Sequence, residues 1–421
     1  MEKMEIKKIQ GFEILDSRGN PTVLAEVTLH CGAVGIAAVP SGASTGSHEA
    51  HERRDGDKER YRGKGVLLAV EAVNTTLSSA LCDKNAAEQA AIDAALCAAD
   101  GSPHKENLGA NAILGVSLAV AKAAAAAAGL PLWQYVAALT GKKPLLPRPM
   151  MNILNGGAHA ANNVDIQEFM IIPLGIESFA EGLERCVRVY HALGGLLEER
   201  SLACGVGDEG GFAPKLAHDE EALDLILQAV EACSLRPGEE IALALDAAAS
   251  EWQSENGMYL LPKANRLQTP TTLLEYWEKL AAKYPILSLE DPAGEDDWQL
   301  WQQLDASLGK KVQLVGDDLF VTQSERLWRG IREKAANAIL IKPNQVGTLT
   351  ETLETVALAQ QQNFGVIMSH RSGETEDSTI ADLAVGTGCG QIKSGAPCRS
   401  DRVAKYNRLL RIEAELKLSN R

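Results

Sequence analysis

Short apolar runs that close on a charged residue recur through the last two thirds of the chain. IALALD closes on Asp246, ILSLED on Glu290, VQLVGDD on Asp317 and ANAILIK on Lys342. Two more follow: FGVIMSHR carries His370 and Arg371, and GQIKSG carries Lys393. Runs of this kind, separated by stretches with helical spacing, predict strands of a parallel sheet covered by helices. If such a sheet closes into a (β/α) barrel, the C-terminal ends of its strands face one common cleft. Three acids, two lysines, a histidine and an arginine then meet there. A single strand-end acid is more often a helix cap or half of a surface ion pair. An ordered set on consecutive strands is poorly explained that way.

The first third is patterned differently. Residues 6–15 and 22–29 alternate in polarity around Asp16-Ser17-Arg18-Gly19-Asn20-Pro21, which predicts a hairpin. Residues 33–39 add a third strand, and helical spacing follows at 65–81, 86–98 and 111–128. Prolines 144, 147 and 149 cannot all sit inside a helix, so 141–149 reads as a linker. The expected organisation is a smaller α+β domain over 1–140 and an α/β domain, a barrel by its pattern, over 150–421. The longest apolar tract, 110–130, is Ala-rich and contains Asn111 and Lys122. It reads as a buried helix, and no membrane span is expected.

The 421 residues and 45% hydrophobic content suit two globular domains. A net charge of −15 argues against a nucleic-acid partner. It also repels an anionic ligand, so an anion site needs local cations, which Lys342, Arg371 and Lys393 can supply. The eight cysteines form no C-x-x-C pair, which disfavours a zinc ribbon or a redox motif. Reduced thiols and an N-terminus without a long apolar core fit a cytoplasmic protein.

Longer motifs narrow the reading. SGASTG (41–46), NGGAHA (155–160), DIQEFM (165–170), VGDEGGFAP (206–214) and SLEDP (288–292) occur in that order. GDDLFVT (316–322), IKPNQVGTLTET (341–352), SHRSGETEDSTIADLAVG (369–386) and GQIKSGAPCRSDR (390–402) follow. In sequence and order these stretches resemble the enolase family across nearly the whole chain. The resemblance implies a slightly irregular (β/α)8 TIM-type barrel preceded by the α+β domain. It implies a hydro-lyase that reversibly dehydrates 2-phosphoglycerate to phosphoenolpyruvate in glycolysis and gluconeogenesis. A homodimer or an octamer of dimers is expected with it.

Residue roles follow from the same resemblance. Asp246, Glu290 and Asp317 bring a charge of −3 together, which a hard divalent cation relieves. The matching carboxylates hold one Mg²⁺, and a second arrives with substrate, held by substrate oxygens and by Ser44. The loop PSGASTGS lacks the G-K-[ST] ending of a nucleotide cradle. On residues alone it is as readily a flexible turn; the resemblance makes it a lid over the substrate.

Lys342 matches the base. A lysine must fall from about 10.4 to near 7 to serve, a change of roughly 4.6 kcal/mol. A Lys or His base with one or two Mg²⁺ is the established pattern of this superfamily, so that assignment is the family's. Glu209, between glycines, matches the group that expels hydroxide. To be protonated near pH 7 it must rise by roughly 3.7 kcal/mol, which burial on the side away from the metals would favour. Glu168 matches a supporting acid, His159 a group close to the substrate and Gln167 a substrate contact. His370, Arg371 and Ser372 match the phosphate anchor, and Lys393 the carboxylate contact. By themselves, Glu209 would be a solvated loop acid and His159 a hydrogen-bonded loop histidine.

Two other readings compete: another acid-sugar dehydratase of the superfamily, and a non-catalytic scaffold or surface-binding paralogue. The first group lacks the SGAST and SHRSGE motifs. A degenerate paralogue is expected to lose acid–base or metal residues, and none is lost here. The visible departures are peripheral: Ala161 stands in place of a frequent Asp, and Gln268-Thr269-Pro270-Thr271 in place of an acidic helix start.

Overall fold

Alternating polarity at the N-terminus produces a three-stranded antiparallel sheet: β1 (Ile6–Leu15), β2 (Pro21–Leu29) and β3 (Val34–Ala38), in that order. A computed structural model describes residues 4–42, 46–160, 162–254 and 256–419. Asp16 builds the first turn, its Oδ1 accepting the N–H groups of Arg18 and Asn20 at 2.9 and 2.8 Å. Helix Ala110–Ala127 packs on the sheet. The contact is close because the residues are small. A Cβ added to Gly35 would meet the Ala119 carbonyl oxygen at 2.1 Å and the Ala123 nitrogen at 2.3 Å. This helix is long and apolar enough to cross a membrane, yet 83% of it is buried within the protein.

The predicted helix at 65–81 is present as Leu67–Ala72 and Ser78–Leu81 joined by a π turn, Val73–Leu77. Within that turn the Asn74 side chain accepts the Gly11 N–H at 2.9 Å and donates to the Gly11 carbonyl at 3.2 Å. The expected helix at 86–98 is Gln89–Asp100, and Leu132–Thr140 is a further helix that the pattern did not reveal.

Ten named strands follow. They are β4 (Arg148–Asn155), β5 (Glu168–Pro173), β6 (Ile241–Asp246), the hairpin β7 (Tyr259–Leu261) and β8 (Arg266–Gln268), β9 (Ile286–Glu290), β10 (Gln313–Gly316), β11 (Ala338–Ile341), β12 (Gly365–Ser369) and β13 (Gly390–Lys393). Without the hairpin they close an eight-stranded barrel, ordered β10-β11-β12-β13-β4-β5-β6-β9. A separate apolar cluster of alternate strand residues, among them Met150, Met170, Val315, Leu340 and Ile367, fills the barrel. Helices cover its outside.

The alternation of strand and helix is not sustained from Pro149 onward, as the pattern suggested. β5 runs antiparallel to both β4 and β6, and helices Phe179–Glu199 and Asp219–Ala232 follow in succession before β6. Reversing one strand brings its N-terminal residue to the face where its neighbours end. Glu168 therefore pairs in register with Asp246, and Asp246 with Glu290.

The Gln268–Thr271 departure is a working helix start. Thr269 and Thr272 form a reciprocal capping box with Pro270 at the first turn of helix Pro270–Lys283. The N-terminal domain in turn caps a barrel helix. Asp93 accepts the Thr350 N–H at 2.8 Å, and Ser117 Oγ accepts the Leu349 N–H at 3.0 Å. Both bonds fix the start of Leu349–Gln361, seven residues after Lys342.

Candidate active site

Lys393, at the end of β13, is the hub of the barrel mouth. Its Nζ lies 3.0 Å from Asp246 Oδ2, 2.9 Å from Glu290 Oε1 and 3.1 Å from Glu168 Oε1, all buried. Burial alone would lower its pKa, but the three carboxylates outweigh it and hold the ammonium well above its usual range. Glu290 is raised by burial and by Asp246, while Glu290 Oε2 is buried without a hydrogen-bond partner among the described residues. Next along the rim, Lys342 Nζ pairs with Asp317 Oδ2, and Gln345 Nε2 donates to Asp317 Oδ1 at 2.9 Å. Burial would raise Asp317, but Lys342 outweighs it and lowers it; Lys342 itself is raised by Asp317 against burial. Its nearest charge is an anion, whereas the lowering expected from sequence depends on bound Mg²⁺ and on Lys393.

Asp291 was not singled out in the sequence. Its two oxygens accept the N–H groups of Asp317 and Asp318 at 3.0 and 2.8 Å, so it positions Asp317. Burial and neighbouring acids raise Asp291, and they push Asp318 to about 8. Oxygens of Asp291, Asp317 and Asp318 lie within 4.8 Å of one another. Asp291, Val321 and Thr322 at this rim have φ of +40°, +43° and +58°, uncommon for non-glycine residues.

The opposite rim is built from loops and the reversed strand. His159, Glu168 and Glu209 bring one ligand atom each within 4.8 Å of the others. Glu209 Oε2 receives Asn152 Nδ2–H at 3.1 Å and lies 3.3 Å from His370 Nε2. The close turn around it needs glycine. A Cβ on Gly211 would meet Asn155 Oδ1 at 2.4 Å, and Gly210 has φ +84°. Burial would raise Glu209, but His370, His159 and Arg402 outweigh it and hold it well below the carboxylate range. Glu168 is the reverse, raised well above that range by burial and by Glu209. Glu209 thus has Arg402 and the Asn152 N–H donor beside it, while Glu168 has Glu209 itself as its nearest shifting charge. Burial lowers His370 to about 3 and keeps it neutral.

Arg371 completes the cleft. Its two Nη atoms hold Glu49 at 2.8 and 3.1 Å, and Nη1 also reaches Asn344 Oδ1 at 3.2 Å. Arg18 Nη1 donates to Ser372 Oγ at 3.3 Å. Gln167 Nε2 donates to Asp246 Oδ2 at 3.4 Å. The candidate residues of the sequence thus converge on one cleft. Glu290 joins through Lys393, and Ser44 lies outside the described residues.

Two family models match the chain: an enolase N-terminal domain over residues 6–136 and an enolase C-terminal TIM barrel domain over 143–420. The chain belongs to the enolase family. An enolase of Acidothermus cellulolyticus is 59% identical over 411 residues, covering 98% of this chain and 94% of the relative. Enolase membership makes the chain a hydro-lyase, a phosphopyruvate hydratase. It also implies a divalent metal, and the barrel mouth fits one. The donors are hard carboxylates, Glu290 Oε2 is buried without a partner, and two ammonium groups already balance the acids. Besides Asp291, sequence reasoning missed Asn152 and Arg402, although Arg402 lies inside an enolase motif that was noticed.

Proposed function

We propose that this enolase uses Lys342 as base and the Glu168–Glu209 pair as acid on 2-phosphoglycerate. The observation that carries the reading is topological. In the eight-stranded ring, β11, which precedes Lys342, stands four strands from β5, which begins at Glu168. Base and acid therefore approach a bound substrate from opposite sides. Lys342 takes the proton from the carbon next to the carboxylate. The pair holds one proton, resting on Glu168, and Glu209 delivers it to the departing hydroxyl, so water leaves and phosphoenolpyruvate remains. Lys393 balances charge on the substrate carboxylate, and Gln167 and His159 line its place. Arg371 takes the phosphate with its two-pronged fork, alongside Ser372 and His370.

Asp246, Glu290 and Asp317 hold one Mg²⁺ in this reading, and Ser44 with substrate oxygens holds the second. Bound there, Mg²⁺ would supply positive charge against the negative charge developing on the substrate, and with Asp317 engaged as a ligand Lys342 would lose the ion pair that holds its pKa up. The carboxylate row and the unpartnered Glu290 oxygen support the metal part of the reading. Family membership supports a cytoplasmic role in glycolysis and gluconeogenesis. A homodimer, or an octamer of dimers, is proposed with it; exposed Phe12, Val34 and Ile36 on the small sheet supply apolar surface that a second copy can cover.

The test is an assay of phosphoenolpyruvate formation from 2-phosphoglycerate, with Mg²⁺ and with excess chelator. Turnover with the ion and none with chelator is expected. No product under either condition would overturn the reading.

A further inference from the structure

Arg402 has no solvent exposure, and the chemistry above does not use it. It lies at the start of helix Ser400–Ser419 and points back into the barrel mouth. Nη1 meets His370 Nδ1 and the Arg371 carbonyl; Nη2 meets the Ser372 carbonyl and, at 3.1 Å, the Asp208 carbonyl. Asp401 Oδ2 lies 2.8 Å from its Nε. A guanidinium donates and cannot accept. The ring nitrogen it meets must therefore present a lone pair. In a neutral imidazole the proton then sits on Nε2, the nitrogen 3.3 Å from Glu209 Oε2.

We propose that Arg402 is a positioning residue for the reaction: it locks His370 in the Nε2–H tautomer, so that an N–H and not a lone pair faces Glu209 Oε2 across 3.3 Å, where Nε2 is buried with no hydrogen-bond partner among the described residues. The same guanidinium ties the carbonyl of Asp208, next to Glu209, to the carbonyls of Arg371 and Ser372. One side chain thereby sets the proton rim and the phosphate anchor relative to each other. The charged and titratable groups bearing on His370 are Glu209 from the glycine-rich turn, Arg402 from the last helix and Lys393 from β13. Among these, Arg402 is the one that reaches Nδ1. A lysine there keeps the charge but not the fork, and it cannot span Asp208, Arg371 and Ser372 at once.

The inference rests on the reading of Glu209 as the group serving the hydroxyl, and two measurements separate them. The first is ¹⁵N NMR of histidine-labelled full-length enzyme, with His370→Gln used for assignment. A neutral His370 protonated at Nε2 across neutral pH is expected. An Nδ1–H tautomer or an imidazolium would overturn the lock, and this result needs no Arg402 variant to fold.

The second uses 2-phosphoglycerate deuterated at carbon 2. Arg402→Met, checked for native melting, should lose roughly 10²-fold in product formation while keeping deuterium exchange within a few-fold. The pH limb governed by Glu209 should move up, because the guanidinium charge that helps to lower Glu209 is removed and the N–H facing its carboxylate is no longer held in place. Equal loss of exchange and product in a folded variant would make Arg402 merely structural and refute the proposal. Glu209→Gln run in parallel tests the underlying reading: if it still forms product, that reading fails while the tautomer result stands or falls separately.

Discussion

The two rims of the barrel mouth both hold buried carboxylates, but they treat them differently. On the β6–β11 rim, Asp246, Glu290 and Asp317 face ammonium groups at ion-pair distance. On the other rim, Glu209 faces an amide, two imidazoles and, further back, a buried guanidinium. Ammonium partners can give way to a metal cation without leaving an anion uncompensated. The amide and the guanidinium favour charge on Glu209, while Glu209 itself disfavours charge on Glu168, so these two buried acids are shifted in opposite directions. Groups of one chemical type acquire separate tasks from their neighbours alone.

The largest effects should come from separating the rims. Lys342→Ala should lower both carbon-2 deuterium exchange and product formation by about 10³-fold or more. Glu209→Gln should lower product formation comparably but leave measurable exchange, since the carbanion can still form and be reprotonated. If the exchange phenotypes come out swapped, the rims have been assigned the wrong way round.

Metal removal should act on one rim only. Chelator should abolish turnover, and added Mg²⁺ should restore it. Mg²⁺ at about a hundred times its Kd should also stabilise the fold by about 2.7 kcal/mol, seen as a higher melting temperature. Glu290→Gln should reduce that rise, whereas Asn152→Leu, on the other rim, should leave it intact. Equal loss in both variants would break the distinction between the rims.

How legible each rim was in the sequence follows from its backbone. Asp246, Glu290, Asp317, Lys342 and Lys393 end or follow apolar runs, so period and position alone pointed to them. Glu168 begins its strand; no apolar run leads into it, and only the resemblance marked it. The cause is the reversal of β5, which is long-range pairing that local pattern does not encode. Asp291 hid behind Glu290 because adjacent strand-end acids look alike, yet one faces Lys393 and the other caps the next loop. Arg402 reads as an ordinary helix residue, and its contacts with Asp208 and His370 span 194 and 32 positions.

The phosphate anchor lies between the rims, and intermediate effects are expected there. Arg371→Lys keeps charge but loses the fork, which should raise KM by about tenfold to a hundredfold, the loss of one or two charge-assisted hydrogen bonds. Glu49 now holds that fork in the two-pronged geometry a phosphate would use. Glu49→Gln should therefore tighten competitive inhibition by inorganic phosphate by about tenfold. Weaker inhibition instead would show that Glu49 orients Arg371 for the anion and does not compete with it.

The smallest expected effect is on stability against pH, and it belongs to the proton rim. His370 titrates near 3 in the fold and near 6.5 when unfolded. Between those values the unfolded chain binds a proton that the folded chain does not, so stability falls as pH drops through that window. The full gap corresponds to at most about 5 kcal/mol, shared with the other groups of the cluster. Glu209, lowered in the fold, adds to the same acid-side loss below its unfolded pKa. Glu168, raised in the fold, runs the other way: its penalty appears as pH rises above about 4.3. His370→Gln removes the titrating ring but leaves both carboxylates. Its melting temperature should thus vary less between neutral pH and about pH 4 than that of the parent, whatever its absolute value. Parallel melting curves for parent and variant over that range would mean that His370 is not held neutral, and the proton rim would then resemble the charged rim opposite.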